Sequence, residues 1–230
     1  MTQVWHDLLF AHWPLAAASV RKLVPPELGL DLFDGSAWIG LVPFRMSGIR
    51  LRGLPPVPCV AALPELNLRT YIEHRGRRGV WFFTLEASNA LAVAVARRWF
   101  HLPYHHAHMQ CSARGEDVEY ASRRIHRGAP PAELRARYGP SGPVFTSRAG
   151  SLEHWLTERY CLFTRTKQGQ ILRGDIHHGP WPLQPAWAKF EHDSLLEAEG
   201  FEAQHSAPHL LFARRIETLE WSPVAEGPSP

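Results

Sequence analysis

Glu65, Asn67 and Arg69 fall at alternate positions of the segment ELNLRTYIE, which runs from Glu65 to Glu73. In an extended chain side chains two apart share a face. These three, with Tyr71 and Glu73, therefore point one way, and Leu66, Leu68, Thr70 and Ile72 point the other. A carboxyl, an amide and a guanidinium in a row suit recognition of a polar ligand. Arg grips a carboxylate through two parallel hydrogen bonds, and Glu serves as acid or base when an apolar cavity raises its pKa. The same alternation also describes a strand whose polar face is simply solvated. His106 and His108, in HLPYHHAHMQC, form a second constellation, two imidazoles on one strand face. That spacing suits zinc, but a catalytic zinc needs a third protein ligand and an open position. His101, His105, His177 and His178 could each supply one and spacing selects none, so no metal is assigned. Trp13, His178 and Trp181 sit in aromatic, proline-rich segments, where rings either pack a core or wall a pocket. Cys111, flanked by strand residues, reads as an inert buried thiol.

The elements that would position these groups follow from periodicity and punctuation. Glu65 to Glu73 reads as a strand, RGRRG as its turn, and Val80 to Leu85 as the returning strand. Ser88 is placed to cap a helix with an apolar stripe of Leu91, Ala94, Val95 and Trp99, ended by Pro103. Arg97 closes that helix, where it either points into a cavity or complements the C-terminal dipole. Tyr104 to Cys111 then alternates as a strand, with Tyr104, His106, His108 and Gln110 on one face. Earlier in the chain Pro14 suits the start of a helix to about Val24, and Asp34-Gly35 between two apolar runs is a hairpin signal. Residues 50–64 read as a Pro- and Gly-rich loop. Later segments read as a strand at 116–127, a short surface helix at 130–138, a helix opened by Ser151 and a hairpin around Gln168-Gly169. A short helix near 194–199 and a last strand at 210–215 complete the chain. Strands outnumber helices and short turns join them, which predicts an α+β fold on a mostly antiparallel sheet. No internal repeat or long linker divides it, so one domain is expected over 1–230, with a frayed tail at about 222–230.

Composition narrows the function classes. The chain has 230 residues, a net charge of +3 and 45% hydrophobic residues. Its Arg residues are interleaved with Glu and Asp, and the dense run His74 to Arg78 reads as a solvated turn, so nucleic acid is not an expected partner. No apolar run reaches the roughly 20 residues of a membrane-spanning helix, and MTQVWHDLLFAHW lacks the basic start of a signal peptide. The three cysteines, Cys59, Cys111 and Cys161, form no CxxC pair, and a reducing cytoplasm is the simplest compartment. GxSxG, P-loop, HExxH and strand-linked GxGxxG signatures are all missing.

The strings ELNLRTY, GVWFFTLEAS and ARRWFHLPYHHA, together with FAHWPL, DGSAWIGLVPFRM, LTERYCLF and HHGPWPL, resemble the bacterial family DUF2071, also called YqjF-like. That family is similar in turn to the acetoacetate decarboxylase superfamily. The resemblance implies a β-barrel with a central cavity, places Ala96-Arg97-Arg98 where that superfamily has GRE, and places Leu102-Pro103-Tyr104-His105 where it has FPKK. Its decarboxylases form a Schiff base on a lysine of the FPKK segment, activated by desolvation and a neighbouring cation. Here Tyr104 and His105 stand in that segment, and the lysines, Lys22, Lys167 and Lys189, lie elsewhere. The resemblance therefore implies the cavity without the imine.

The expected function is accordingly a small-molecule-binding barrel. One form is a cofactor-independent lyase or isomerase on a carboxylic or enolisable compound, with Glu65, Tyr104 and His105 as catalytic groups. Asn67, Arg69, Arg97, His106, Trp13, His178 and Trp181 then bind the ligand. The other is a non-catalytic module that binds a small aromatic or carboxylate ligand. The partner is a small molecule in both, with no membrane and with self-association into a homo-oligomer allowed.

Overall fold

A computed structural model describes residues 1–50, 62–204 and 206–226. The chain order is β1 (Thr2–Leu15), α1 (Ala17–Arg21), β2 (Gly29–Leu30), β3 (Ala37–Arg50), β4 (Ala62–His74), β5 (Arg77–Ala87), α2 (Ala90–Val95), β6 (Tyr104–Arg114), β7 (Asp117–Arg124), β8 (Glu133–Pro140), α3 (Leu152–Thr157), β9 (Cys161–Arg165), β10 (Ile171–His178), β11 (Leu183–Asp193), α4 (Leu195–Ala198), β12 (His209–Glu220) and β13 (Val224–Ala225). A π-helical turn, Ala96–Phe100, continues α2.

Strand pairing closes two circuits that share one wall. The wall is β12–β1–β3–β4–β5, antiparallel throughout. On one side β5 pairs in parallel with β9, and β9 leads through β10 back to β12. On the other side β5 pairs in parallel with β6, and the sheet continues through β7, β8 and β11 to β12. Closure satisfies backbone groups that open sheet edges would leave unpaired. The wall is thus buried on both faces, and the period of two sorts its residues. On β4, Leu66 and Leu68 enter the larger core with Leu9, Leu41, Leu134 and Phe212. Fully burying each such leucine contributes about 1.5–3 kcal/mol. Glu65, Asn67 and Arg69 face the other circuit.

Turn chemistry follows the sequence where it was most explicit. Asp34 and Gly35 both take positive φ, 48° and 76°, and Arg75-Gly76 does the same at 53° and 73°, as the two-residue turn of a twisted hairpin requires. Three expectations are corrected. The segment from Pro14 is mostly strand: β1 continues to Leu15 and only the short α1 follows. Residues 130–138, read as a surface helix, supply β8, because Leu134, Ala136 and Tyr138 alternate inward against the core. In α2 the cap is Asn89, whose side chain accepts from the Ala92 N–H at 2.9 Å. The expected stripe there is also rotated, leaving Leu91 and Trp99 75% and 69% exposed. Cys59 and most of the 50–64 loop lie outside the described residues.

Candidate functional site

The smaller circuit encloses a cavity of about 280 Å³. Its walls are mainly apolar, with Trp5, Phe10, Phe44, Phe82, Trp181 and Leu85 contributing from β1, β3, β5 and the segment before β11. Ala92, Val95, Ala96 and Phe100 cover it from α2 and the π-helical turn. Short π segments inside helices often occur at functional sites. Few polar groups reach this interior, and they gather at two ends.

The acidic end holds Glu65, Tyr104, Gln3 and Glu220. The Tyr104 hydroxyl donates to Glu65 Oε2 at 2.6 Å. Burial pushes the Glu65 carboxyl up to about 8, against the opposing pull of hydrogen bonds from Tyr104 and the Asn67 amide. Burial also drives the Tyr104 hydroxyl well above its ordinary range, and the Glu65 carboxyl adds to the shift. At neutral pH this carboxyl is mostly a neutral acid and Tyr104 remains a donor. Glu220, hydrogen-bonded by the Gln3 amide, is raised by burial to about 7. Two carboxyls with raised pKa thus share one apolar chamber.

The basic end holds Arg69 and Arg159. Arg159 is fixed by three contacts. Its Nε donates to the Trp155 carbonyl at 2.7 Å, its Nη1 donates to Asp31 Oδ2 at 2.6 Å, and its Cζ lies 4.7 Å from the Tyr71 ring centroid. Arg69 packs over Phe10 and Tyr71, at 5.5 and 5.8 Å. Among the described residues neither Glu65 nor Arg69 has an ion-pair partner. Arg69 Nε, Arg159 Nη2, Asn67 Oδ1 and His12 Nδ1 are buried without hydrogen-bond partners, which is unusual for buried polar atoms. His12 lies behind this end, its Nε2 2.6 Å from the Tyr71 hydroxyl. Burial lowers its pKa well below the usual value, and Arg69 lowers it further. Gly40 makes room for that ring, since a Cβ there would lie 2.7 Å from His12 Nε2.

Of the residues singled out by sequence, Glu65, Asn67, Arg69, Tyr104, His178 and Trp181 line the cavity, and four do not. Trp13 is on the opposite face of β1 from Phe10, in the larger core, donating to the Ser206 carbonyl at 3.0 Å. His105 points away from Tyr104 across β6. It lies 2.9 Å from the Thr84 hydroxyl, and burial with nearby Arg124 pushes it down to about 3. His106 stays outside the chamber, 3.2 Å from the Ser88 carbonyl. Arg97 is exposed and donates to the Tyr104 carbonyl at 2.6 Å, which holds the backbone of β6 rather than a ligand. The sequence reading missed Gln3, His12, Arg159 and Glu220. Alternation through Leu8, Phe10 and His12 could have placed His12. Glu220 was lost because the last strand was ended at Arg215, whereas β12 runs five residues further.

Among the described residues no three His, Cys, Asp or Glu side chains converge as a metal site. His106 and His108 stand 6.5 Å apart between ring centroids. Burial raises the Cys111 and Cys161 thiols to about 11 each, which keeps them unreactive near neutral pH. No helix among the described residues is long and apolar enough to cross a membrane.

The comparisons with known proteins agree with this architecture. The family model of DUF2071, described as an uncharacterized conserved protein, matches residues 2–217. The uncharacterized protein YqjF of Bacillus subtilis (strain 168) is 42% identical over 221 residues, covering 96% of this chain and 90% of that protein. An acetoacetate decarboxylase-like enzyme from Sphingomonas wittichii RW1 superposes with a TM-score of 0.65 at 13% identity, covering 97% of this chain and 92% of that one. The acetoacetate decarboxylase of Legionella pneumophila subsp. pneumophila str. Philadelphia 1 gives 0.61 at 12%, with 98% and 87% covered. The enduracididine biosynthesis enzyme MppR complexed with pyruvate gives 0.66 at 11%, with 97% and 89% covered. At such identities the likeness is one of fold, and function is carried by the site.

Proposed function

The chain belongs to DUF2071, a family of uncharacterized conserved proteins, and from that premise we propose that it is a cofactor-independent enzyme acting by proton transfer on a small enolisable or carboxylic compound. The reading rests on Glu65, a carboxyl held near pKa 8 inside an apolar chamber and hydrogen-bonded by Tyr104. In its ionised fraction Glu65 is a strong base shielded from water. It takes a proton from the carbon beside a carbonyl, the C–H electron pair passes to the carbonyl oxygen, and an O–H bond forms on Glu65. Return of the proton to another carbon completes an isomerisation. Positioned acid–base groups contribute about 10²–10⁴-fold. Imine chemistry is not part of the reading, because Lys22, Lys167 and Lys189 are all absent from the cavity lining. That a fold neighbour is complexed with pyruvate favours a small carbonyl acid as the ligand type. A cytoplasmic setting fits the unpaired Cys111 and Cys161.

Exchange of the protons beside the ketone of 7-oxooctanoate, whose carbonyl and carboxylate lie at opposite ends, tests the proposal when followed in D2O by proton NMR. The rate should exceed the buffer background and rise with pH to a plateau above about 8 as Glu65 ionises. It should fall to background in Glu65→Gln. Exchange indistinguishable from buffer at every pH would leave the second reading, a non-catalytic binding module. That reading is favoured by Trp5, Phe10, Phe44 and Trp181 around the chamber.

A further inference from the structure

We infer that Arg69 and Arg159 form an anion subsite at one end of the cavity, and that the ligand is a slender amphipathic monocarboxylate whose charged end docks there while its other end reaches Glu65 and Tyr104. This rests on the reading of the chamber as a small-molecule site and names the class of molecule.

Two observations carry it. The first is the pair of orphan donors. Arg159 is 5% exposed, and Asp31 and the Trp155 carbonyl use its Nη1 and Nε, which leaves Nη2 buried and unpartnered. Arg69 Nε is likewise buried and unpartnered. Both side chains line the same cavity and both pack on the Tyr71 ring. A buried donor left unmade is costly, and two from neighbouring guanidiniums suit the two oxygens of one carboxylate. The second observation is charge. Asp31 balances Arg159, Arg69 has no counter-ion among the described residues, and the carboxyls at the far end are mostly protonated at neutral pH or half so. One positive charge enclosed in apolar walls is best compensated by one negative charge on the ligand.

Geometry sets the rest of the molecule. Glu65 and Arg69 are four residues apart on β4, which is about 13 Å at ~3.3 Å per residue. The walls between them are Phe10, Val42, Phe44 and Leu85. A chamber of about 280 Å³ holds roughly ten non-hydrogen atoms at a water's share of ~30 Å³ each. A chain or phenyl body of that size with a terminal carboxylate fills it, and a second charge at the Glu65 end would be repelled or left unpaired.

Octanoate and octanamide, which share one skeleton and differ in charge, are the probes, with affinity read by titration calorimetry at pH 7. Octanoate should bind the unaltered protein about tenfold to a hundredfold more tightly than octanamide, the worth of charge-assisted hydrogen bonds. In Arg69→Gln, which breaks no ion pair, the ratio should fall to within about twofold. In Glu65→Gln it should persist, so that failure of the proton chemistry and failure of the anion subsite give different results. Equal affinities in the unaltered protein, no octanoate binding at millimolar concentration, or a ratio that survives Arg69→Gln would each overturn the inference.

Discussion

The strands β4 and β5 carry buried ionisable groups on both faces, and the two sets could hardly be arranged more differently. On the face turned from the cavity, Glu86 and Arg124 are 0% and 1% exposed. Arg124 Nε donates to Glu86 Oε1 at 2.8 Å, and its Nη2 donates to Thr84 Oγ1 and Glu199 Oε1 at 3.0 and 2.8 Å. Its Nη1 reaches the Pro130 carbonyl at 3.2 Å, and Ser122 donates to the second Glu86 oxygen. Every nitrogen of that guanidinium donates a hydrogen bond. On the cavity face Glu65 is mostly protonated at pH 7, Arg69 has no ion-pair partner among the described residues, and Asn67 Oδ1, Arg69 Nε and Arg159 Nη2 wait for partners. Equal burial therefore does not mean equal purpose. A closed network fixes how β5, β7 and α4 dock. An open one keeps its hydrogen-bonding capacity for something that is not protein.

The largest test of that contrast is to break the closed set. Arg124→Met should cost about 3–5 kcal/mol in urea denaturation, because it leaves Glu86 charged and uncompensated in the core. A cost below about 1 kcal/mol would show that water reaches Glu86 and that the two faces are not so different.

The cavity face should respond to pH instead. Glu65 has a folded pKa of about 8 against 4.5 for the ordinary group. Between those values the unfolded chain binds fewer protons than the native one, so stability falls as pH rises, by up to about 1.4 kcal/mol per unit from this group. Glu220, at about 7, adds a share of the same sign up to its own value. Glu65→Gln mimics the protonated form and should flatten the decline between about pH 5 and 8, measured by denaturation midpoints across that range. An unchanged slope would mean that Glu65 is ionised and solvated in the native protein.

How much of this was visible in the sequence depends on which residue is considered. The alternation of ELNLRTY placed Glu65, Asn67 and Arg69 on one face, and the leucines' burial leaves no freedom in the register. Alternation alone could not say that this face met a cavity rather than solvent; the resemblance implied one. Arg159 was invisible because it follows α3 in a segment with no periodicity, and its role comes from Asp31, 128 residues away. Residues 130–138 misled because Ala, Glu, Leu and Arg favour helices in isolation, while pairing of β8 with β7 and β11 overrides that preference.

A smaller effect sharpens the absence of a Glu65–Arg69 pair. A buried pair broken on one side would cost about 3–5 kcal/mol. Arg69 instead loses only its contacts with Phe10 and Tyr71, about 0.5–1 kcal/mol each way of counting such ring contacts, and relief of an uncompensated charge opposes the loss. Arg69→Gln should therefore change stability by no more than about 1 kcal/mol, read from chemical denaturation at pH 7. A larger destabilisation would restore an ion pair on this strand.

A final comparison separates two adjacent residues, Tyr104 and His105, which the sequence grouped as catalytic. Successive residues of β6 face opposite ways, so Tyr104 reaches Glu65 in the open chamber while His105 turns to Thr84 at the margin of the closed network. With its pKa near 3 the His105 ring stays neutral at every pH at which the protein would work, and it has no path to the cavity. Tyr104→Phe deletes the hydrogen bond that steadies Glu65, and it should slow the exchange of the protons beside the ketone of 7-oxooctanoate by about tenfold or more. His105→Ala removes one neutral hydrogen bond, costs about 1 kcal/mol of stability, and should leave the exchange rate within about twofold. Equal rate losses in the two variants, with the His105 variant still folded by circular dichroism, would mean that the wall of β4 and β5 does not separate the two networks.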